Sequence, residues 1–145
     1  MQKKTFLIIL LVLIYAIFIL DLFATRYSLY FRFWWFDIMM HFLGGFWIAT
    51  ASYYFFYFSD FQFRLWLSAF KKLTEKYSAL ALTLASIILV GVCWELFEYV
   101  IGAVPKTGYA LDTGLDLVMD LIGWSGACLF FSKIGSRKMV GEKIV

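Results

Sequence analysis

The sequence predicts an all-α fold, a polytopic membrane protein in which four transmembrane helices form a bundle and an amphipathic interfacial helix lies in the second loop. Hydrophobic residues make up 63% of the 145 residues and aromatic residues 22%, which is more than a soluble core requires. The mean hydropathy is +0.83. Four stretches also reach the roughly 20 apolar residues that cross a bilayer as a helix.

The first predicted span covers residues 5–24. Lys3 and Lys4, followed by an apolar run, are also typical of a secretory signal peptide. However, the run is longer than the roughly 7–15 apolar residues of such a peptide, and Asp21 interrupts its end. No cleavage site with the small-x-small pattern follows at residues 23–25. We therefore expect a retained first helix.

The other predicted spans cover residues 37–58, 79–101 and 112–132. Over residues 61–75, apolar side chains recur at helical spacing while basic residues occupy the other face, which predicts an interfacial helix on the cytoplasmic leaflet. The longest connection, from Ser59 to Ser78, is far below the roughly 50 residues of a small domain. Residues 1–145 are therefore expected to form a single integral membrane domain.

The distribution of basic residues predicts the orientation. Of the 13 lysine and arginine residues, all but Arg26, Arg32 and Lys106 fall on one side of the predicted spans. Basic residues are retained on the cytoplasmic side, so both termini are expected in the cytoplasm, with the chain multi-pass in the inner (plasma) membrane. The net charge of +3 reflects this topology and gives no reason to expect nucleic acid as a partner. Membrane lipids are the expected surroundings.

Seven carboxylates and the only histidine lie in or at the edges of these spans, and the predicted topology puts all eight at the outer end of the bundle. A charged carboxylate near the bilayer centre costs roughly 2.5–3.5 kcal/mol on insertion scales, so such residues usually have a role. Within each of the last three spans they recur three or four residues apart, on one helix face. The eight residues are Asp21, Asp37, His41, Glu95, Glu98, Asp112, Asp116 and Asp120.

Glycines continue these polar stripes toward the cytoplasmic side. Gly44 and Gly45 follow His41, Gly91 precedes Glu95 by one turn, and Gly123 follows the last aspartate of the fourth span. Because small residues let membrane helices approach closely, the pattern predicts an outward-open polar cup above a packed floor.

Many carboxylates in a low dielectric need compensation, through protonation, water, an arginine from the rim or bound cations. A divalent ion compensates most of the charge, and carboxylates with one imidazole suit Mg²⁺, Mn²⁺, Zn²⁺ or Fe²⁺. The predicted cofactor is therefore a divalent metal ion (Mg, Mn or Zn), with Asp37 as a general base. The predicted metal ligands are His41, Glu95, Glu98, Asp116 and Asp120.

Structural roles compete with these assignments. A lone histidine such as His41 is often only hydrogen-bonded within a bundle. Asp112 and Asp37 are each placed to cap the start of a helix and to interact with its positive dipole end. Asp21 is explained by an interfacial position. Glu95, Glu98 and the two inner aspartates of the fourth span have no such simple explanation.

Three segments together resemble a known family. They are DIMMHFLGG at residues 37–45, WELFEY at residues 94–99 and DTGLDLVMDLIG at residues 112–123. Their pattern is similar to that of YjdF-like inner-membrane proteins and, more distantly, of the VanZ-like family, over residues 37–126. VanZ-like proteins tend to carry Gln where Glu98 stands and Asn where Asp120 stands. Membership there would imply reduced susceptibility to glycopeptide antibiotics, whereas the YjdF-like resemblance implies a shared polar site and names no reaction.

Three classes of function remain open at this point. The first is a metal-dependent hydrolase or transferase that acts on a lipid or lipid-linked envelope substrate at the outer leaflet. The second is a cation or proton-coupled transporter, for which four helices leave little room unless the protein is an oligomer. The third is a non-catalytic binding or accessory protein.

Overall fold

The structure is a computed structural model that describes residues 3–57, 77–102 and 108–141. Every element in these ranges is an α-helix, which confirms the predicted all-α class for the described part of the chain. The interfacial helix predicted at residues 61–75 lies outside the described residues. The five helices are α1 (Lys3–Tyr27), α2 (Leu29–Arg32), α3 (Trp34–Tyr57), α4 (Ala79–Ile101) and α5 (Tyr109–Gly141).

Three of these helices are long and apolar enough to cross a membrane, and they lie on the first, third and fourth predicted spans. They are Lys4–Tyr27, Ala79–Ile101 and Tyr109–Ser132. The helix α3 is not among them, although it has 24 residues. Its hydropathy is lowered by Asp37, His41, two glycines and several tryptophans and tyrosines. The count of four spans therefore stays a prediction.

The helix boundaries show where the acidic residues lie relative to the helix ends. A left-handed Ser28, with φ 55°, separates α1 from α2, and Gly102, with φ 71°, ends α4. The N–H of Asp112 donates to the carbonyl of Gly108, so Gly108 immediately precedes α5 and Asp112 lies within its first turn. Asp37 likewise lies in the first turn of α3. Neither acid is the capping residue that the sequence suggested, although both lie at a favourable dipole end.

The helix α3 occupies the centre of the bundle and contacts all the other helices. Its most extensive contact is with α5, and two glycines make this contact close. A Cβ added to Gly45 would overlap the backbone carbonyl of Asp120, and one added to Gly123 would overlap the carbonyl of Phe42. Only glycine fits at these two positions, because the facing backbones leave no room for a methyl group.

The helices α1 and α4 pack on different parts of α3. Trp47 on α3 donates its indole N–H to the carbonyl of Leu10 on α1, at 2.9 Å, and Phe6 stacks on Tyr54. On the other side, Trp124 of α5 donates to Thr83 of α4 at 3.0 Å. Within the described ranges, no Cα atom of α1 lies within 8 Å of a Cα atom of α4. A gap between them therefore leaves part of α3 uncovered.

Candidate functional site

His41 is the centre of the buried polar cluster. Its Nε2 atom lies 3.9 Å from a carboxylate oxygen of each of Asp37, Glu95 and Asp116. Its Nδ1 atom lies 3.5 Å from Oδ1 of Asp120. These distances exceed the roughly 2.7–3.2 Å of an ordinary N–H···O hydrogen bond. One imidazole is thus surrounded by four carboxylates, which α3, α4 and α5 contribute.

The cluster is almost completely shielded from solvent. The exposed fractions of His41, Glu95, Asp116 and Asp120 are between 3% and 7%, whereas the side chain of Asp37 is 33% exposed. Asp37 therefore lies at the more open side of the cluster. Four ionisable side chains at this depth are costly unless each is paired or neutralised.

Glu95 is the least satisfied of the buried acids. Its Oε2 atom accepts a hydrogen bond of 2.7 Å from the Thr113 hydroxyl, across the interface between α4 and α5. Its Oε1 atom is buried and has no hydrogen-bond partner within the described residues, and it lies on the side of His41 Nε2. A buried acceptor without a partner usually indicates an unseen ligand or a functional strain.

A cavity of about 380 Å³ adjoins the cluster. Its polar end is formed by Asp37, His41, Glu98 and Asp120, together with Asp21 from α1. Tyr30 of α2 also lines it, and the rest of its wall is mostly apolar and comes from α1, α3 and α4. The cavity therefore connects the buried imidazole with the gap between α1 and α4.

Two of the acids that line this cavity have their own hydrogen-bond donors. Trp94 donates its indole N–H to Oε1 of Glu98 at 2.9 Å, and the Tyr30 hydroxyl donates to Oδ1 of Asp21 at 2.8 Å. Burial raises the pKa of the Tyr30 phenol above its usual range, and the bond to Asp21 raises it further. The hydroxyl therefore stays protonated and keeps its role as a donor.

The eight polar residues singled out in the sequence thus divide into three groups. Asp37, His41, Glu95, Asp116 and Asp120 meet at the imidazole. Glu98 and Asp21 line the adjoining cavity. Asp112 lies outside both groups, in the first turn of α5.

The partners Thr113, Trp94 and Tyr30 were not among the predicted site residues. Two of them carry a signal in the sequence. Thr113 precedes Asp116 by three residues on the same face of α5, and Trp94 precedes Glu98 by one helical turn. Tyr30 lies in the short α2, where helical phase gives no indication of its contact with Asp21.

The donor atoms are suited to a divalent metal ion. Oxygens of Asp37 and Asp116 and a nitrogen of His41 lie within 4.8 Å of one another, as do atoms of His41, Glu95 and Glu98. Carboxylates with one imidazole match the preferences of Mg²⁺, Mn²⁺ and Zn²⁺. The buried histidine and acids therefore form a cluster that could hold a metal ion.

Fold and site together define a helical membrane protein with a buried cluster of acids around one imidazole. The chain belongs to the family described as predicted membrane protein (DUF2238), whose model matches residues 2–137. No curated protein and no solved structure is significantly similar to it. The family description agrees with the predicted membrane location, and it carries neither the YjdF nor the VanZ name that the sequence motifs suggested.

Proposed function

We propose that this chain is a multi-pass inner-membrane protein that binds one divalent metal ion at His41 and uses it in a hydrolase or transferase reaction. The substrate would be a lipid or lipid-linked molecule of the cell envelope. One observation carries this proposal. Acids from three helices converge on a single buried imidazole, and one of them, Glu95, directs an unpartnered oxygen toward it.

The spacing of the donor atoms supports a shared ion. Two ligand atoms that are each about 2.1 Å from one ion lie about 3.0–4.2 Å apart, depending on the angle between them. The distances of 3.9 Å from His41 Nε2 to Asp37, Glu95 and Asp116 fall within this interval. They are too long for good hydrogen bonds. An ion among these atoms would also satisfy Oε1 of Glu95.

The two ring nitrogens favour a specific division of roles. In our proposal, Nε2 of His41 is a ligand together with Asp37, Glu95 and Asp116. Glu95 forms a separate group with His41, apart from the group of Asp37, His41 and Asp116, so its carboxylate would move toward the two aspartates when the ion binds. Asp120, on the Nδ1 side, fixes the orientation of the ring, because metal-binding histidines usually donate their other N–H to a carboxylate or carbonyl. Compared with the sequence-based assignment, Asp37 is thus a ligand instead of the general base, and Asp120 orients the ring instead of binding the ion.

Glu98 is then the acid best placed to act as a base. It lines the cavity, is only half-buried and belongs to a candidate ligand group with His41 and Glu95. A divalent ion lowers the pKa of a bound water and so supplies a nucleophile near neutral pH. Glu98 would accept a proton from that water, while Trp94 holds its carboxylate in position.

The proposed topology includes α3 as a fourth span. At 1.5 Å per residue its 24 residues extend about 36 Å, which exceeds the roughly 30 Å of the hydrocarbon core. It also lies between the other three long helices, so its polar residues face protein more than lipid. With the basic residues retained in the cytoplasm, both termini are inside and the cluster lies in the outer half of the membrane.

Transport is a weaker alternative because the floor beneath the cluster is closed. One turn below His41, the backbones of α3 and α5 meet at Gly45 and Gly123 with no room for a side-chain atom. Farther in, Thr50 and Thr83 donate to backbone carbonyls of their own helices. An accessory role, such as the glycopeptide tolerance of VanZ-like proteins, requires no transport path through the bundle. A test for turnover of a substrate distinguishes it from catalysis.

The shared premise is tested by elemental analysis of tag-free protein purified in detergent at neutral pH. Wild type is expected to contain close to one Mn, Zn or Mg per chain. Glu95→Gln and Asp116→Asn should lose most of it. Asp112→Asn is the matched control, because this aspartate of α5 belongs to neither donor group, although its charge acts on Asp37 and Asp116, and it should retain most of the metal. A metal-free wild type after addition and removal of excess ion would refute the proposal.

A further inference from the structure

The gap between α1 and α4 is a groove in the side of the bundle. These two helices flank α3 with no pair of their Cα atoms within 8 Å in the described ranges, and the cavity of about 380 Å³ is lined by both of them. Both helices are apolar enough to cross the membrane. The groove therefore faces the bilayer itself, and its apolar wall includes Ile17, Phe18, Trp47, Ile48, Val90 and Trp94.

The length of the groove corresponds to one leaflet. Along α3 it extends from Asp37 at its polar end to Ile48 at its apolar end, a rise of about 16 Å at 1.5 Å per residue. This is about half of the roughly 30 Å hydrocarbon thickness. A lipid of a single leaflet has the same arrangement, with a polar head at one end and a chain that reaches the midplane.

The polar end of the groove has a strongly negative electrostatic potential. Asp21, Asp37, Glu98 and Asp120 all line it, and no lysine or arginine does among the described residues. Even with one divalent ion bound at His41, these acids outnumber the positive charges. A phosphate or carboxylate head would be repelled, whereas a protonated amine could donate charge-assisted hydrogen bonds to Asp21 and Glu98.

We propose that this groove binds a membrane lipid with a protonated primary amine in its head group, which enters sideways between α1 and α4. The amine contacts Asp21 and Glu98, and the hydrocarbon chain lies along Trp47, Ile48 and Val90. This inference rests on the proposed function, since it names the substrate class of the same site. It assigns α1 a role, because that helix supplies one wall of the groove and one of the acids.

The test uses hexadecylamine that carries a photoreactive diazirine near the end of its chain. Full-length protein in phosphatidylcholine nanodiscs is labelled, and the modified residues are mapped by mass spectrometry. We expect labels on the groove residues of α1 and α4, such as Ile17 and Val90. Unlabelled hexadecylamine should compete at a concentration about tenfold or more below that of hexadecanol, because the charge-assisted hydrogen bonds are lost with the alcohol.

Two variants test the contacts of the hydrocarbon chain and those of the amine head group separately. A Cβ at Gly44 would meet no atom within 4 Å, and Gly44 lines the cavity, so the side chain of Gly44→Leu starts in open space and is expected to occupy the groove. It should abolish the labelling of the groove. Glu98→Gln should keep the labelling by high probe concentrations and remove most of the preference for the amine over the alcohol. Asp112→Asn should behave like wild type.

Labelling that is equal for amine and alcohol, or that persists in Gly44→Leu, would overturn the inference. The same preparations are analysed for metal, so that the two proposals fail separately. Wild type that contains the metal ion but shows no amine preference contradicts only the lipid assignment. Wild type that lacks metal yet labels selectively in the groove contradicts only the metal assignment.

Discussion

The unpartnered Oε1 atom of Glu95 makes the effect of Glu95→Gln depend on whether an ion is bound. Glutamine keeps the shape of the side chain and can still accept the hydrogen bond from Thr113. It removes one negative charge from a site where three other carboxylates face the same imidazole. Because a buried acceptor without a partner costs about 1–3 kcal/mol, the metal-free variant should be more stable than metal-free wild type by that amount.

The stability advantage of the variant should shrink or reverse when the ion is present. At a free ion concentration of about a hundred times its dissociation constant, an ion stabilises the wild type by about 2.7 kcal/mol. If the variant binds about a hundredfold more weakly, the same concentration contributes only about 0.4 kcal/mol. The metal-dependent gain of the variant should therefore be smaller than that of wild type by about 2 kcal/mol.

The assay is unfolding in detergent, followed by tryptophan fluorescence, with chelator or with a saturating concentration of Mn²⁺. Asp112→Asn is carried through both conditions and should show the same metal-dependent gain as wild type. If Glu95→Gln is destabilised equally with chelator and with Mn²⁺, Glu95 is a structural residue and the assignment as a ligand is wrong.

Four further substitutions probe the surroundings of the site. Gly45→Ala should destabilise the protein by about 2 kcal/mol or more through backbone overlap with α5, while Gly44→Ala should be neutral or stabilising; similar melting temperatures for both would contradict the closed floor. Tyr30→Phe should cost about 1 kcal/mol of stability by removing the hydrogen bond to the aspartate of α1, and an unchanged unfolding midpoint would contradict it. Trp47→Phe should loosen α1 from α3, seen as faster hydrogen exchange in α1 than in α4; equal protection would refute this link.

Helical phase predicted the convergence of acids because a residue pair one turn apart must share a helix face. Glu95, Asp116 and His41 lie on three different helices, and each helix had to turn its polar stripe away from lipid. Successive predicted spans run in opposite directions, so stripes near the start of α3 and α5 and near the end of α4 are predicted at the same end of the bundle. These two constraints are sufficient to bring the residues together, and the structure has them around one imidazole.

Other features depend on how the helices pack, which cannot be read from the pattern of a single sequence. The gap between α1 and α4 follows from how two helices divide the surface of α3, and neither helix indicates it by composition. The hydrogen bond between Tyr30 and Asp21 depends on the turn at Ser28. The assignment of Nε2 and Nδ1 to different acids depends on the orientation of the ring. The low hydropathy of α3 follows from its polar and aromatic residues, so its predicted role as a fourth span depends on its length and its position in the bundle.

The most direct test of the metal assignment uses the fact that His41 is the only histidine in the chain. Tag-free protein loaded with one equivalent of Mn²⁺ is measured by pulsed electron paramagnetic resonance, which detects nitrogen atoms bonded to the ion. The proposal predicts coupling to one imidazole nitrogen, with the remaining ligands oxygen, and loss of this coupling in His41→Ala. Bound Mn²⁺ without nitrogen coupling, or coupling that survives in His41→Ala, would contradict it.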